Sequence, residues 1–145
     1  MPANRDPRPS SVPTPTASDA GLPTAPTWAS RDALPAFSPA PGVTVQVVAG
    51  GRLMTAWVRI EPDTALALHH HPHEQLGVVL EGAIAVTIAG ETRPLTVGHA
   101  YAVPPGLVHG GVAGPHGCLV LESFTPPRED YLALAAAAAG QAGNA

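Results

Sequence analysis

Cysteine, basic charge and long apolar runs are all scarce in this chain of 145 residues. The one cysteine, Cys118, excludes an intramolecular disulfide, and without a Cys cluster there is no zinc ribbon or finger to consider. It reads more simply as a small apolar residue on a buried strand. Seven Lys+Arg stand against eleven Asp+Glu, so the chain lacks the basic patch or stripe that marks a nucleic-acid binder. No window approaches the roughly 20 apolar residues that cross a bilayer. The longest apolar run, Leu132 to Ala139, is mostly alanine. No apolar h-region follows Met1-Pro2-Ala3-Asn4-Arg5-Asp6-Pro7. The expectation is a cytoplasmic protein with no nucleic-acid or membrane partner, of a length that suits one domain.

Proline, by contrast, is abundant and unevenly placed. The first 41 residues hold more than half of the chain's 18 prolines. Such a segment buries too little apolar surface to offset the entropy of ordering it. Residues 1–27 therefore read as a disordered Pro-rich arm. Trp28, Leu34 and Phe37 mark residues 28–41 as either a loose extension or a strap that packs on the barrel or on a second subunit.

From Gly42 the pattern changes to short β-like runs: Val43–Val48, Arg52–Ile60, Ala65–His71, Gln75–Leu80, Ala83–Ala89, Thr92–Val97, Ala100–Val103, Val108–Val112 and Cys118–Phe124. Turn residues separate them, among them Gly50-Gly51, Pro62-Asp63, Glu81-Gly82, Pro104-Pro105-Gly106 and Gly114-Pro115. Many short strands between regular turn signals indicate an all-β sandwich or barrel over 42–125. No helical crossovers interrupt them, which argues against a parallel α/β sheet. Within residues 126–140 the alanine-rich stretch Glu129–Ala139 reads as a terminal helix, with Gly140 as its stop and 141–145 as a tail.

Four of the seven histidines fall in Leu68-His69-His70-His71-Pro72-His73-Glu74-Gln75. Residues two apart in a strand share a face, so His69 and His71 can aim two imidazoles at one point while His70 faces away. Pro72 breaks the strand and lets the chain bring Gln75 back toward that point. His109, just after Pro104-Pro105-Gly106, is the candidate fourth ligand from a distant strand. A solvated loop without a role is the plainer alternative, but it requires neither the alternation nor the breaker. His70 and His116 read as surface residues, His99 as a turn residue and His73 as a rim residue.

These residues resemble the cupin superfamily. Its first motif has the form HxH, three or four residues, Glu, six residues, Gly. Here it reads His69-x-His71, Gln75 and Gly82, with glutamine in the glutamate slot. The second motif, Gly, five residues, Pro-x-Gly, two residues, His, matches Gly98, Pro104-x-Gly106 and His109 without a gap. Asp63 and Ala113 replace a glycine and an asparagine that are usual in the family. The resemblance implies a jelly-roll (double-stranded β-helix) barrel with one divalent metal ion in its mouth, commonly paired into a homodimer. The segment Glu122-Ser123-Phe124-Thr125-Pro126-Pro127-Arg128-Glu129-Asp130-Tyr131 is similar to that of small pectin-degradation cupins, which convert 4,5-unsaturated uronates to linear ketonised forms. That resemblance implies an active-site role for Glu122, Phe124 and Arg128, although the family's acid is Asp and Glu122 reaches one methylene further.

Three imidazoles and a neutral amide leave a divalent ion its full charge, which favours Lewis-acid chemistry on an anionic or carbonyl-bearing substrate. Zn, Ni, Fe and Mn all suit such a donor set. Glu122 is the candidate general acid/base, and parity lets it share a cavity with Phe124. Arg128 is the candidate carboxylate clamp. Trp57 and Arg59 share parity on the second run, where a place at the mouth, core packing and an outer-face location are all open. The leading expectation is an isomerase or lyase-like enzyme acting on a small carboxylated sugar derivative. An iron- or manganese-dependent dioxygenase, a cyanohydrin-cleaving lyase and a non-catalytic ligand-sensing cupin are the alternatives.

Overall fold

A computed structural model describes residues 25–143. The arm expected over 1–27 lies outside the described residues as far as position 24, as do the final two positions of the expected tail. A short 3-10 turn at Arg31–Ala33 is followed by eight strands and one α-helix: β1 (Phe37–Ala40), β2 (Val43–Ala49), β3 (Met54–Ile60), β4 (Ala65–His69), β5 (Glu74–Ile88), β6 (Glu91–Thr96), β7 (Ala100–Val103), β8 (His109–Thr125) and α1 (Glu129–Ala142). All strand pairs are antiparallel. Among the described residues no helix is long and apolar enough to cross a membrane.

The strands form because apolar residues recur at every second position. Val43, Val45 and Val47 on β2 and Met54, Ala56, Val58 and Ile60 on β3 are all buried. Val43 pairs with Ile60 and Ala49 with Met54, so the two strands present one apolar face. The order runs β1-β2-β3-β8-β5-β6, with β4 added on β8 and β7 on β5. β5 and β8 are long enough to belong to both halves of the resulting jelly-roll barrel. The first half of β5 lies between β7 and the end of β8, and its second half lies between β6 and the start of β8. Cys118 is buried in the core as a small apolar residue, and burial pushes its thiol up to about 11.

Two expected turns prove to be bends inside continuous strands. β5 runs through Glu81-Gly82, and β8 runs through Gly114-Pro115. Gly82 pairs with Cys118 while Ile84 pairs with Ala113, so residues 114–117 bulge out of β8 against a single step of β5. A bulge of this kind bends a strand without ending it. Gly82 has φ 70, and a Cβ there would run into the carbonyl of Gly117. Asp63, in a slot usually held by glycine, has φ 57, a left-handed conformation that Asp tolerates better than most residues.

The strap and helix also differ in detail from expectation. Phe37 is buried in β1 and meets Tyr131 of α1 edge-on at 5.4 Å, whereas Trp28 is 90% exposed. Gln46 of β2 donates to the carbonyls of Arg31 and Leu34 at 2.8 and 3.1 Å, which ties the segment before β1 to the barrel. α1 passes through Gly140 to Ala142. One helical glycine costs only about 1 kcal/mol relative to alanine, too little to end the helix, and a Cβ at that position would stand in open space.

The bend in β5 generates a stability prediction. Gly82→Ala combines left-handed strain with backbone overlap, so it should cost on the order of 1–3 kcal/mol. The urea midpoint of the purified variant measures this, and an unchanged midpoint would contradict the bend.

Candidate metal centre

β4 ends on His69, whose cross-strand partner is His109 at the start of β8. Their ring centroids are 4.3 Å apart. His71 lies in the link to β5, where the Gly106 amide donates to its carbonyl at 2.9 Å. The two loops that carry the motifs are thereby joined. Gln75 follows on β5, paired with Val103 on one side and Phe124 on the other.

Each of the three imidazoles is oriented by a backbone carbonyl. Nδ1 of His69 lies 2.8 Å from Ala67 O, Nδ1 of His71 3.1 Å from His73 O, and Nδ1 of His109 2.8 Å from Leu107 O. A carbonyl only accepts, so these contacts assign the proton to Nδ1 and leave a lone pair on each Nε2. One ring nitrogen from each of the three lies within 4.8 Å of the others. Oε1 of Gln75 stands 3.0 Å from His71 Nε2 and 3.1 Å from His109 Nε2. The same amide lies beside Glu122 and Tyr101, where it favours their charged forms. Acceptors therefore converge on acceptors, an arrangement that a cation resolves. The three histidines can hold a metal ion, and the Gln75 carbonyl is placed to join them. Burial, with Arg128 and His109 nearby, keeps His71 below the usual imidazole range. Burial, with His69 and Arg128 nearby, does the same for His109. Both rings thus remain neutral donors to lower pH than a free histidine would.

This cluster opens into a cavity of about 530 Å³. His69, Gln75, His109, Tyr101, Glu122, Arg128 and Asp130 supply its polar wall, and Val58, Ile84 and Val86 part of its apolar wall. Glu122 is 8% exposed and accepts a hydrogen bond from the Tyr101 hydroxyl at 2.9 Å. Burial raises its carboxyl above the ordinary range, against the opposing pull of Tyr101, Arg128 and Gln75. Burial also raises the Tyr101 phenol well above its ordinary value, and the Glu122 charge adds to this. Burial works against the charge of Arg128, but Asp130 outweighs it by binding the guanidinium through two bonds of 3.1 and 2.7 Å. The guanidinium lies 3.9 Å from the Tyr131 ring centroid and 5.1 Å from that of Phe124.

Three of the residues proposed from the sequence to bind substrate stand elsewhere. Trp57 and Arg59 alternate with the buried Ala56, Val58 and Ile60 and so occupy the outer face of β3, where Arg59 pairs with Glu81 at 2.9 Å. Phe124 is 1% exposed and absent from the cavity wall. It packs edge-on against His71 and Tyr131, each at 5.8 Å, and so supports the site from behind. His73, expected at the rim, is buried and bonded through Nε2 to Glu129 at 3.1 Å. His70, His99 and His116 are exposed. Tyr101, Gly77 and Asp130 escaped sequence reasoning. Tyr101 lies inside the second motif, but its partners depend on strand register.

A family model described as the cupin domain matches residues 56–116. The pectin degradation protein KdgF of Dickeya dadantii (strain 3937) is 36% identical over 63 residues, which cover 43% of this chain and 57% of that protein. The HTH-type transcriptional regulator PuuR of Escherichia coli (strain K12) is 31% identical over 91 residues, 59% of this chain and 49% of that protein. The chain thus spans about half the length of the curated relatives it matches. The solved structure of KdgF from Halomonas sp. is similar with a TM-score of 0.69 at 30% identity, over 74% of this chain and 99% of that one.

The converging nitrogens make a direct prediction. His109→Ala should lose stoichiometric zinc by metal analysis of dialysed protein, while His70→Ala should retain one ion per chain. Equal zinc in both variants would remove His109 from the ligand set.

Proposed function

This chain belongs to the cupin family, and within it we propose a metal-dependent enzyme that isomerises, or cleaves in a lyase-like way, a small carboxylated sugar derivative such as a 4,5-unsaturated uronate. One observation carries the reading. Gln75 turns its carbonyl to His71 and His109 and lies beside Glu122, so the candidate ligands and the candidate acid/base adjoin one another on one cavity. The similarity to the pectin degradation proteins supports the substrate class.

His69, His71, His109 and Gln75 would hold one divalent ion, which when bound supplies Lewis acidity toward a carbonyl or hydroxyl. All four donors are neutral and cancel none of its charge. Opening the ring of a 4,5-unsaturated uronate takes a proton from the C1 hydroxyl and breaks the C1–O5 bond. The electron pair passes through the enolate to C4, which gains a proton. Glu122 is suited to this exchange because burial favours its protonated form, while its hydrogen-bond donors keep the carboxylate accessible. Asp130 occupies two of the five guanidinium N–H groups of Arg128, and those that remain are available to a substrate carboxylate. The apolar wall of Val58, Ile84 and Val86 limits water around the reacting atoms. A ligand-sensing role is the second reading, favoured by the similarity to a transcriptional regulator.

An NMR time course separates these readings. Zinc-loaded protein kept without oxygen should convert unsaturated galacturonate, and Glu122→Gln should slow turnover by about 10²- to 10⁴-fold. Full activity of the variant would sink the proton-transfer role. A requirement for oxygen would favour the dioxygenase. No turnover, with a uronate-dependent rise in melting temperature, would favour the sensor.

A further inference from the structure

Three neighbouring strands set one row of residues across the barrel interior. Tyr101 on β7 pairs with Gly77 on β5, and Gly77 pairs with Glu122 on β8. On its other side Glu122 pairs with Ala56 of β3. Cross-strand partners point to the same face. The buried carboxyl of Glu122 thus stands between the two smallest side chains available, glycine and alanine.

Tyr101 is two strands away from Glu122. At roughly 4.8 Å per strand, a tyrosine standing upright on β7 would be about 10 Å from its target. It reaches Glu122 Oε1 at 2.9 Å because the ring lies flat across β5. Gly77 makes this possible: a Cβ there would overlap the tyrosine hydroxyl and the two ring carbons nearest it. The φ of Gly77 is not left-handed, so backbone conformation alone does not call for glycine. Gln75, two positions earlier on the same face of β5, lies beside both Tyr101 and Glu122. The phenol, the carboxyl and the amide therefore meet at one place.

We propose that Tyr101, lying in the gap above Gly77, is the positioning residue that holds the Glu122 carboxyl against Gln75 and the histidine cluster. The role rests on the reading of Glu122 as the proton carrier. With Oε1 committed to the phenol, exchange with a substrate falls to Oε2. A tyrosine serving only as packing would tolerate phenylalanine. A positioning tyrosine does not, because the hydroxyl is the part that acts.

Two sets of measurements on zinc-loaded protein test this. With unsaturated galacturonate, Tyr101→Phe should lower kcat by about 10- to 100-fold, the worth of a hydrogen bond to a charged group. KM should stay within about twofold and zinc at one ion per chain, because Tyr101 is not a ligand. The second set needs no substrate. Urea midpoints of Tyr101→Phe, Glu122→Gln and the double variant should be non-additive, since removing either partner removes the same bond. Gly77→Ala should lower the midpoint clearly in the native background and far less beside Tyr101→Ala, where no ring is left to collide with. If the native protein turns over the uronate and Tyr101→Phe matches its kcat, the positioning role is overturned. If the native protein does not turn it over, the substrate reading fails and the midpoints decide. Additive midpoints together with an equal Gly77→Ala penalty in both backgrounds overturn the proposal, and non-additive ones support it.

Discussion

The pairing of β5 with β8 is the constraint on which the site depends. It runs antiparallel from Glu74 opposite Thr125 to Ile88 opposite His109, through both halves of the barrel. Gln75 and the partner strand's Glu122 lie near one end, and His109 lies at the other. A slip of one residue would turn every side chain of a strand to the opposite face. Gln75 and Glu122, which sit on different strands, would then face opposite sides of the sheet. The bulge at residues 114–117 and the left-handed Gly82 let these strands bend without losing register. The bend brings His109 back to within 3.1 Å of Gln75, although the two are attached to different halves.

Around that frame, charge is arranged so that few groups in the cavity are left uncompensated. Burial favours the neutral form of His71 and His109, against the upward pull of their carbonyl partners, which fix the ring orientation. Arg128 is charged, but Asp130 binds it and two aromatic rings flank it. Glu122 is the group with opposing influences: burial favours the acid, and Tyr101, Arg128 and Gln75 favour the carboxylate. Burial is the largest of these, so the carboxyl holds its proton above the ordinary carboxylate range, as a proton donor requires. The helix contributes through Tyr131 and Arg128, which reach back from the end of β8 to close one side of the cavity.

Much of this was legible where the signal is local. Alternation within one strand separates His69 and His71 from His70, and Pro72 marks the return to Gln75. The fold class followed from turn residues spaced along one region of the chain. Parity alone left Trp57 and Arg59 undecided, because a period of two says which residues share a face but not which face is inside. It grouped Glu122 with Phe124 but gave no depth, and Phe124 proved fully buried behind His71. Gly82 carries a signal common to turns and bulges, so one long strand read as two. Gly77 and Tyr101 were out of reach for another reason. Their relation exists only once β7, β5 and β8 are in register, and no short window of sequence contains it.

The central claim is that three imidazoles and one amide carbonyl hold a single divalent ion. X-ray absorption at the zinc edge of stoichiometrically loaded protein tests it most directly. The account predicts the multiple-scattering signature of three imidazoles, with nitrogens at about 2.0–2.1 Å and oxygen completing the shell. A shell with one imidazole or none would contradict it.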